Sequence, residues 1–376
     1  MTQNSHPFKK ISSRLIFLSA GLLGYSLSIA PINAESFAPL LEPVSNNAVA
    51  LVQTKNNHYI VSFSGLGSKK DYTDVLNKTF VYDVTRNKWH QGSNIPMQTP
   101  VVDKRTKKDI TGRLASVATG VGELAYVFGG YTVASDHAEI SVPDVYSYDV
   151  KHDKFIVLAP MPVPVDDSIA LSYKGQYIYL VSGWHNDGNV NLVQLYDIRN
   201  NTWSQATPFP GKPVFGQAGA ILNSTMLVCD GVTTTIHQYK RRSYSAETAC
   251  YQGDINTNNP NKIDWRIVPH PTGIARYRMA SGADKAKKEF IFVGGSDNPY
   301  NYNGIGYNQN PSQPDNQIWR YSLMDKKWSV TTSNQQTMDH RGLIVFDGKL
   351  LTVGGMGKNQ QVLDKIYQHG SLVQSK

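Results

Sequence analysis

The sequence predicts an all-β chain built from six copies of one four-stranded antiparallel meander. Three observations predict it. A polar turn held between two aromatics recurs as YDVTRNKW (82–89), YDVKHDKF (148–155), YDIRNNTW (196–203) and YSLMDKKW (321–328), with the second aromatic always seven residues after the first. Before each turn comes a hydrophobic run ending in small residues. After each comes a short Pro-containing stretch and a further apolar segment, so a unit of fixed order repeats along the chain.

Unit one has the run YIVSFSGLG (59–67) and its turn at Tyr82. Unit two has LAYVFGGY (124–131) and Tyr148, and unit three has YIYLVSGW (177–184) and Tyr196. Unit four has MLVCDGV (226–232) and a stretched turn from Tyr251 to Trp265, with INTNNPN inserted. Unit five has FIFVGGS (290–296) and Tyr321; unit six has LLTVGGM (350–356) and Tyr367, then runs out at Lys376 before a fourth strand. Asn, Asp and Lys suit the tip of a tight hairpin, so each Tyr-to-Trp turn joins a third strand to a fourth. The flanking aromatics lie on strand faces, where they pack between neighbouring sheets.

Hydrophobic run, Gly-Gly, loop, Tyr, then Trp seven residues on: this pattern resembles the kelch repeat and covers residues 37–373. The resemblance implies a six-bladed β-propeller of four-stranded antiparallel blades. SFAPLLEPVSNNAVAL (36–51) reads like KFIVLAPMPVPVDDSIAL (154–171). Phe37 to Leu41 is therefore expected to be the N-terminal strand that completes blade six and closes the ring, with Phe37 standing where Phe155 stands.

Residues 1–34 read as a secretory signal: Lys9, Lys10 and Arg14 precede the apolar run 15–30, and a small residue, Ala34, ends it. The run is short for a membrane span. Those three cations belong to the leader, so the formal charge of +8 falls by three, to +5, on maturation. That surplus is spread out, with no arginine-rich helix and no RNA-binding motif, which argues against nucleic acid as a partner. The expected location is periplasmic or secreted, with no membrane span in the mature chain and one domain over residues 35–376.

The parity of a meander puts the turns between first and second and between third and fourth strands on one face. The long loops and the connections between blades share the other. Long loops carry function more often than tight turns, so the site is expected there, over the central channel. Arg113, Asp166, Asp167, Gln217, Arg276 or Arg278, and Arg341 stand near the starts of first strands and are candidates for its mouth. Converging arginines either fork a carboxylate or phosphate of a ligand or pair with neighbouring Asp residues. Tyr300, Tyr302 and Tyr307, among Asn and Gln, have the composition of a sugar-facing surface; the alternative is tyrosines packed on each other. Trp184 and His185 follow a Gly on that same face, and His185 is a candidate general acid or base. Cys229 and Cys250 lie on strands that should pair, so they form a cross-strand disulfide or remain buried thiols. No HExxH, His pair or GxSxG occurs, so neither a metal nor another cofactor is expected.

In size, in its exported kelch-only build and in GRLASVATGVGELAYVFGG (112–130), the chain resembles bacterial N-acetylneuraminate epimerases, the sialic-acid mutarotases. That resemblance implies an isomerase with a Gly-Glu pair after the second strand of a late blade and an Arg several residues on. This chain has Asp230-Gly231 there, followed by Arg241 and Arg242, so Asp230 would stand in for the Glu. Two functions follow: a carbohydrate enzyme acting on a small sugar, acidic or not, or a non-catalytic module gripping a glycan or a protein.

Overall fold

The computed structural model describes residues 1–2 and 37–371. All but the first two residues of the expected leader lie outside them. Blade I is built from Ala48–Gln53, His58–Leu66, Val75–Asp83 and Lys88–Gly92. Blade II is Val117–Val121, Leu124–Phe128, Val145–Asp149 and Lys154–Val157, and blade III is Ile169–Tyr173, Tyr177–Val181, Val193–Asp197 and Thr202–Gln205. Blade IV is Ala218–Leu222, Thr225–Cys229, Cys250–Ile255 and Ile263–Val268; blade V is Ala280–Asp284, Glu289–Val293, Asp315–Ser322 and Lys327–Thr337. Blade VI has three described strands, Ile344–Phe346, Lys349–Val353 and Ile366–Ser371. Neighbouring strands pair antiparallel in chain order, and the six sheets stand in a ring as a six-bladed β-propeller. Among the described residues no helix is long and apolar enough to cross a membrane.

Second strands such as Tyr177–Val181 are buried almost throughout, because each of their faces packs on a neighbouring blade. Fourth strands such as Thr202–Gln205 are largely exposed, at the outer edge. The small residues that end each second strand have a steric cause. Both positions of the pair take positive φ, with Ser64, Ser182 and Asp230 filling the first where the second is Gly65, Gly183 and Gly231. A side chain at Gly65 would lie 2.5 Å from Ser45 O, so the second position tolerates no Cβ.

The repeated turn welds blades together. Tyr196 O–H donates to Asn201 Oδ1 at 2.6 Å, and that same oxygen accepts the backbone N–H of Ala159, on the segment leaving the previous blade, at 2.8 Å. The Trp203 indole N–H then donates to Ala159 O at 2.9 Å. Asp153 does the same for Tyr148 and Ser93, and Asn87 for Tyr82 and Ala38. In blade V, Trp328 donates to Pro269 O; Pro269 has no N–H to offer, and Lys326 stands where the other turns carry Asn or Asp.

The ring closes through the N-terminal segment. Leu40 N–H donates to Asp364 O at 2.7 Å and Val44 N–H to Leu363 O at 3.0 Å. The register differs from expectation. Trp89 donates to Ala38 O as Trp203 does to Ala159 O, so Phe37 stands where Leu158 stands, not Phe155. Residues 37–41 form no strand; they occupy the place of the segment that follows a fourth strand, and blade VI's fourth strand is not among the described residues. The shared Ala-Pro pair, Ala38-Pro39 and Ala159-Pro160, marks the true alignment, because the indole bonds to the Ala carbonyl.

Candidate functional site

At the long-loop end of the axis each blade contributes one equivalent residue: Asn46, Ala115, Asp167, Gly216, Arg278 and Asp339. Each follows a residue that bridges to the end of its blade's second strand, and each has φ between 48° and 69°. Backbone hydrogen bonds run from blade to blade around this ring. Asp167 N–H donates to Ala115 O, Gly216 N–H to Asp167 O, and Arg278 N–H to Gly216 O, at 2.8 to 3.0 Å. Left-handed backbone costs roughly 1–2 kcal/mol at a non-glycine residue, so the surrounding bonds must hold it.

Several ring side chains turn to the axis and plug it. Arg278 pairs with Asp167 and, at 3.0 Å, with Asp339. Arg341 reaches Asp167 at 2.6 Å and Asn46 Oδ1 at 2.9 Å. Two cations and two carboxylates cancel, which is how a buried charge set becomes tolerable. Of the two open responses to converging arginines, the structure has Asp partners. The Arg278 guanidinium carbon also lies 4.7 and 5.2 Å from the ring centroids of Tyr277 and Tyr300, which meet each other edge-on at 5.0 Å.

Below the plug lies a channel of about 600 Å³, walled by first strands and their small residues, such as Gly120, Ala170, Gly219 and Gly282, and ending near the tight turns at Lys285 to Lys287. Its one aromatic lining residue is Phe346, and its ionisable ones are Asp284, Lys285, Lys287, Arg341 and Asp347. Above the plug is a smaller pocket of about 60 Å³, lined by Tyr131, Trp184, Phe215, Tyr244, Tyr302 and Tyr307, with Glu139, Asp166, Asp167 and Arg278. Mixed aromatic and polar lining makes the smaller one the ligand-site candidate. Three loop hairpins build its walls: Tyr131–Val133 with Glu139–Ser141, Trp184–His185 with Gly188–Asn189, and Val232–Thr235 with Ser243–Ala246. Tyr244 stacks on Tyr307 at 3.9 Å and 16°, and Trp184 meets Phe215 edge-on at 5.4 Å.

Burial pushes the Glu139 carboxyl up to about 7; Arg278 and Arg242 oppose that rise and Asp167 adds to it. Glu139 is exposed as a residue and lines the pocket. Asp166 is also pushed well up, by burial and then by Asp167, while Ser141 O–H donates to its Oδ2 at 2.6 Å and opposes the shift.

The structure brings together Asp167, Arg278, Trp184 and Tyr302 at this pocket, with Arg341 in the plug beneath. It removes others. Arg113 stands two residues out of step with the axis-facing set, so it points between blades and pairs with Asp144 at 3.2 Å. Gln217 is buried and donates to Val181 O at 2.6 Å. Tyr300, expected to face a sugar, is fully buried beneath Arg278. His185 lies outside the pocket lining, with Nδ1 2.7 Å from Pro164 O. Asp230 occupies the first position of the small-residue pair, and it bonds to His270 Nε2 and to Arg276 N–H, both at 2.8 Å. His270 Nδ1 accepts from Gly273 N–H at 2.8 Å, so its Nε2–H is the donor to Asp230 and the pair is a structural brace. Cys229 faces Cys250 in register and the two are bonded. Asp230, Cys250 and His270 cluster within 4.8 Å, but the disulfide leaves no thiolate for a metal. Sequence reading missed Glu139 and Tyr244, which sit in loop hairpins with no repeat signal, and Tyr131 and Phe215, which stand at repeated positions but whose side chains reach the pocket only in this arrangement.

Residues 112–162 match the Kelch motif. The chain is 23% identical over 260 residues to Kelch-like protein 15 of Danio rerio, covering 65% of this chain and 39% of that protein. It is 20% identical over 340 residues to Kelch-like protein 36 of Rattus norvegicus, covering 88% and 49%. Together these matches support a kelch-repeat family. The chain thus spans less than half the length of these curated relatives. The solved structure of YjhT superposes with a TM-score of 0.64 at 15% identity, covering 88% of this chain and 96% of that one, a likeness of fold.

Proposed function

We propose that this kelch-type propeller binds a carbohydrate on its long-loop face, and that it is exported by its apolar leader to the periplasm or beyond. The observation carrying this reading is the aromatic-walled pocket with a polar floor. Rings cover the apolar faces of sugars, and carboxylates and hydroxyls bond their O–H groups. At about 60 Å³ the pocket is far below the roughly 300 Å³ and more of a site that encloses a whole small ligand, so it receives one substituent while the sugar ring lies on the rim. Binding alone is favoured over sialic-acid mutarotation. The groups nominated for acid–base work, Asp230 and His185, do not line the pocket, and the carboxylate forks Arg278 and Arg341 are taken by Asp167 and Asp339. Arg242, over the Trp184 ring at 5.3 Å and 3.7 Å from Asp187, is a rim cation for an acidic sugar.

The test is a titration of purified protein with neutral sugars, amino sugars and N-acetylneuraminate, read by saturation-transfer NMR. At least one class should bind, and Trp184→Ala should weaken it tenfold or more. No transfer from any sugar at millimolar concentration overturns the reading. NMR anomer exchange of N-acetylneuraminate, equal with and without protein, would dispose of the mutarotase alone.

A further inference from the structure

We propose that the group received by the long-loop pocket is a small organic cation, a protonated or methylated amine. The inference rests on the reading that this pocket is the ligand site, and it names the chemistry of what enters.

Asp167 and Asp339 are matched by Arg278 and Arg341, so the plug beneath the pocket is neutral. Glu139 and Asp166 are additional, and among the described residues neither makes an ion pair. Asp166 is 3% exposed; Ser141 holds one of its oxygens, and the other has no hydrogen-bond partner among the described residues although the residue lines the pocket. The acids lining the pocket outnumber its one arginine, and an arriving cation pairs with the ionised form of either carboxyl. A neutral hydroxyl hydrogen-bonds them without matching their charge.

The walls favour the same guest. Aromatic faces carry negative potential and attract cations, most strongly for Trp and when water is excluded. This protein already uses that attraction, with guanidinium groups over Trp184 at 5.3 Å and over Tyr277 at 4.7 Å. Size agrees as well, because about 60 Å³ suits an ammonium head and not a pyranose ring.

The charged groups facing Glu139 are Arg278, Asp167, Arg242 and Asp166, and the tyrosines around it stay neutral through the physiological range. With its carboxyl at about 7, Glu139 is largely protonated at pH 6 and ionised at pH 8. A cation selects the ionised form, so binding should strengthen with rising pH and release a proton.

An amino sugar, a lysine side chain and a choline head all present this chemistry, and the test separates them. Purified full-length chain is titrated with methylammonium and tetramethylammonium chloride at constant ionic strength, with tert-butanol as the neutral analogue of similar shape. Tryptophan fluorescence and calorimetry read the binding. Glucosamine against N-acetylglucosamine, Nα-acetyl-lysine and choline then identify the source. The cations should bind, tert-butanol should not, and affinity should be several-fold higher at pH 8 than at pH 6. Glu139→Gln, checked for an unchanged melting curve, should weaken cations about fivefold or more and flatten that pH dependence. Should Glu139→Gln alter the melt, Tyr302→Ala supplies the second variant, with the same loss expected. Equal binding of tert-butanol and tetramethylammonium, or unchanged affinity in Glu139→Gln, overturns the inference. Neutral sugars binding while amines do not would sink it and leave the carbohydrate reading intact; amines binding while no sugar does would do the reverse.

Discussion

At the residue scale, a shift of a position or two decides what an arginine does. Arg276 and Arg278 are neighbours but one, yet Arg276 pairs with Asp315 at 2.7 Å while Arg278 lies in the axial plug beside Asp339. Near-identical sequence context therefore concealed opposite roles, and Arg113 fell on the Arg276 side. Buried histidines supply a prediction at this scale. Burial lowers His340 to about 3 and His369 to about 4, and His369 is held between the hydroxyls of Ser333 and Thr352. Each takes up its proton more readily when unfolded, at about 6.5. Their contribution to stability is therefore complete above about pH 6.5 and is lost progressively as pH falls toward 4 and below. The melting temperature should drop steadily from pH 7 to pH 4.5, and His369→Gln should show a shallower drop. Parallel pH curves for the two proteins would refute this.

At the element scale, the Tyr-to-Trp turn was legible because its spacing is constant, but its job was not. The sequence shows a hairpin; the structure shows that the residue five after the Tyr accepts both the phenol and a neighbouring blade's backbone N–H. The second bond depends on a residue forty-two positions away, which no local pattern displays. Blade IV is the telling exception. Its turn is stretched, and Thr207 N–H donates to Asn261 O instead, at 2.8 Å. That blade also carries the disulfide, which closes a 21-residue loop containing the hairpin that presents Tyr244 and Arg242. By loop-closure entropy, Cys229→Ser with Cys250→Ser should cost about 3 kcal/mol, seen as a lower urea midpoint. An unchanged midpoint would mean that the crosslink adds nothing to the blade.

At the scale of the whole molecule, the segment that begins the propeller, from Phe37 on, meets its last blade. Leu40, Val44 and Ala38 join the last blade to the first through Asp364, Leu363 and Trp89. Phe37 packs edge-on against Tyr82 at 6.3 Å. A ring transmits the loss of one joint to both its edges, since the unpaired strands are then exposed. Deleting residues 37–43 should therefore abolish cooperative thermal unfolding by circular dichroism rather than merely lower its midpoint. A sharp, native-like melt in that variant would show that the joint is dispensable.

Strand order, blade number and the face carrying the long loops came from periodicity alone, because a repeated backbone unit must repeat its hydrophobic pattern and its turns. Which side chains share a pocket was decided only by the tertiary structure. Glu139, Asp166, Trp184, Tyr244 and Tyr302 come from four blades, and their meeting depends on loop conformations that do not repeat. The same holds for the pairing of Arg278 and Arg341 with Asp167 and Asp339: charges of both signs were visible in the chain, but only closure of the ring brings them within reach of each other.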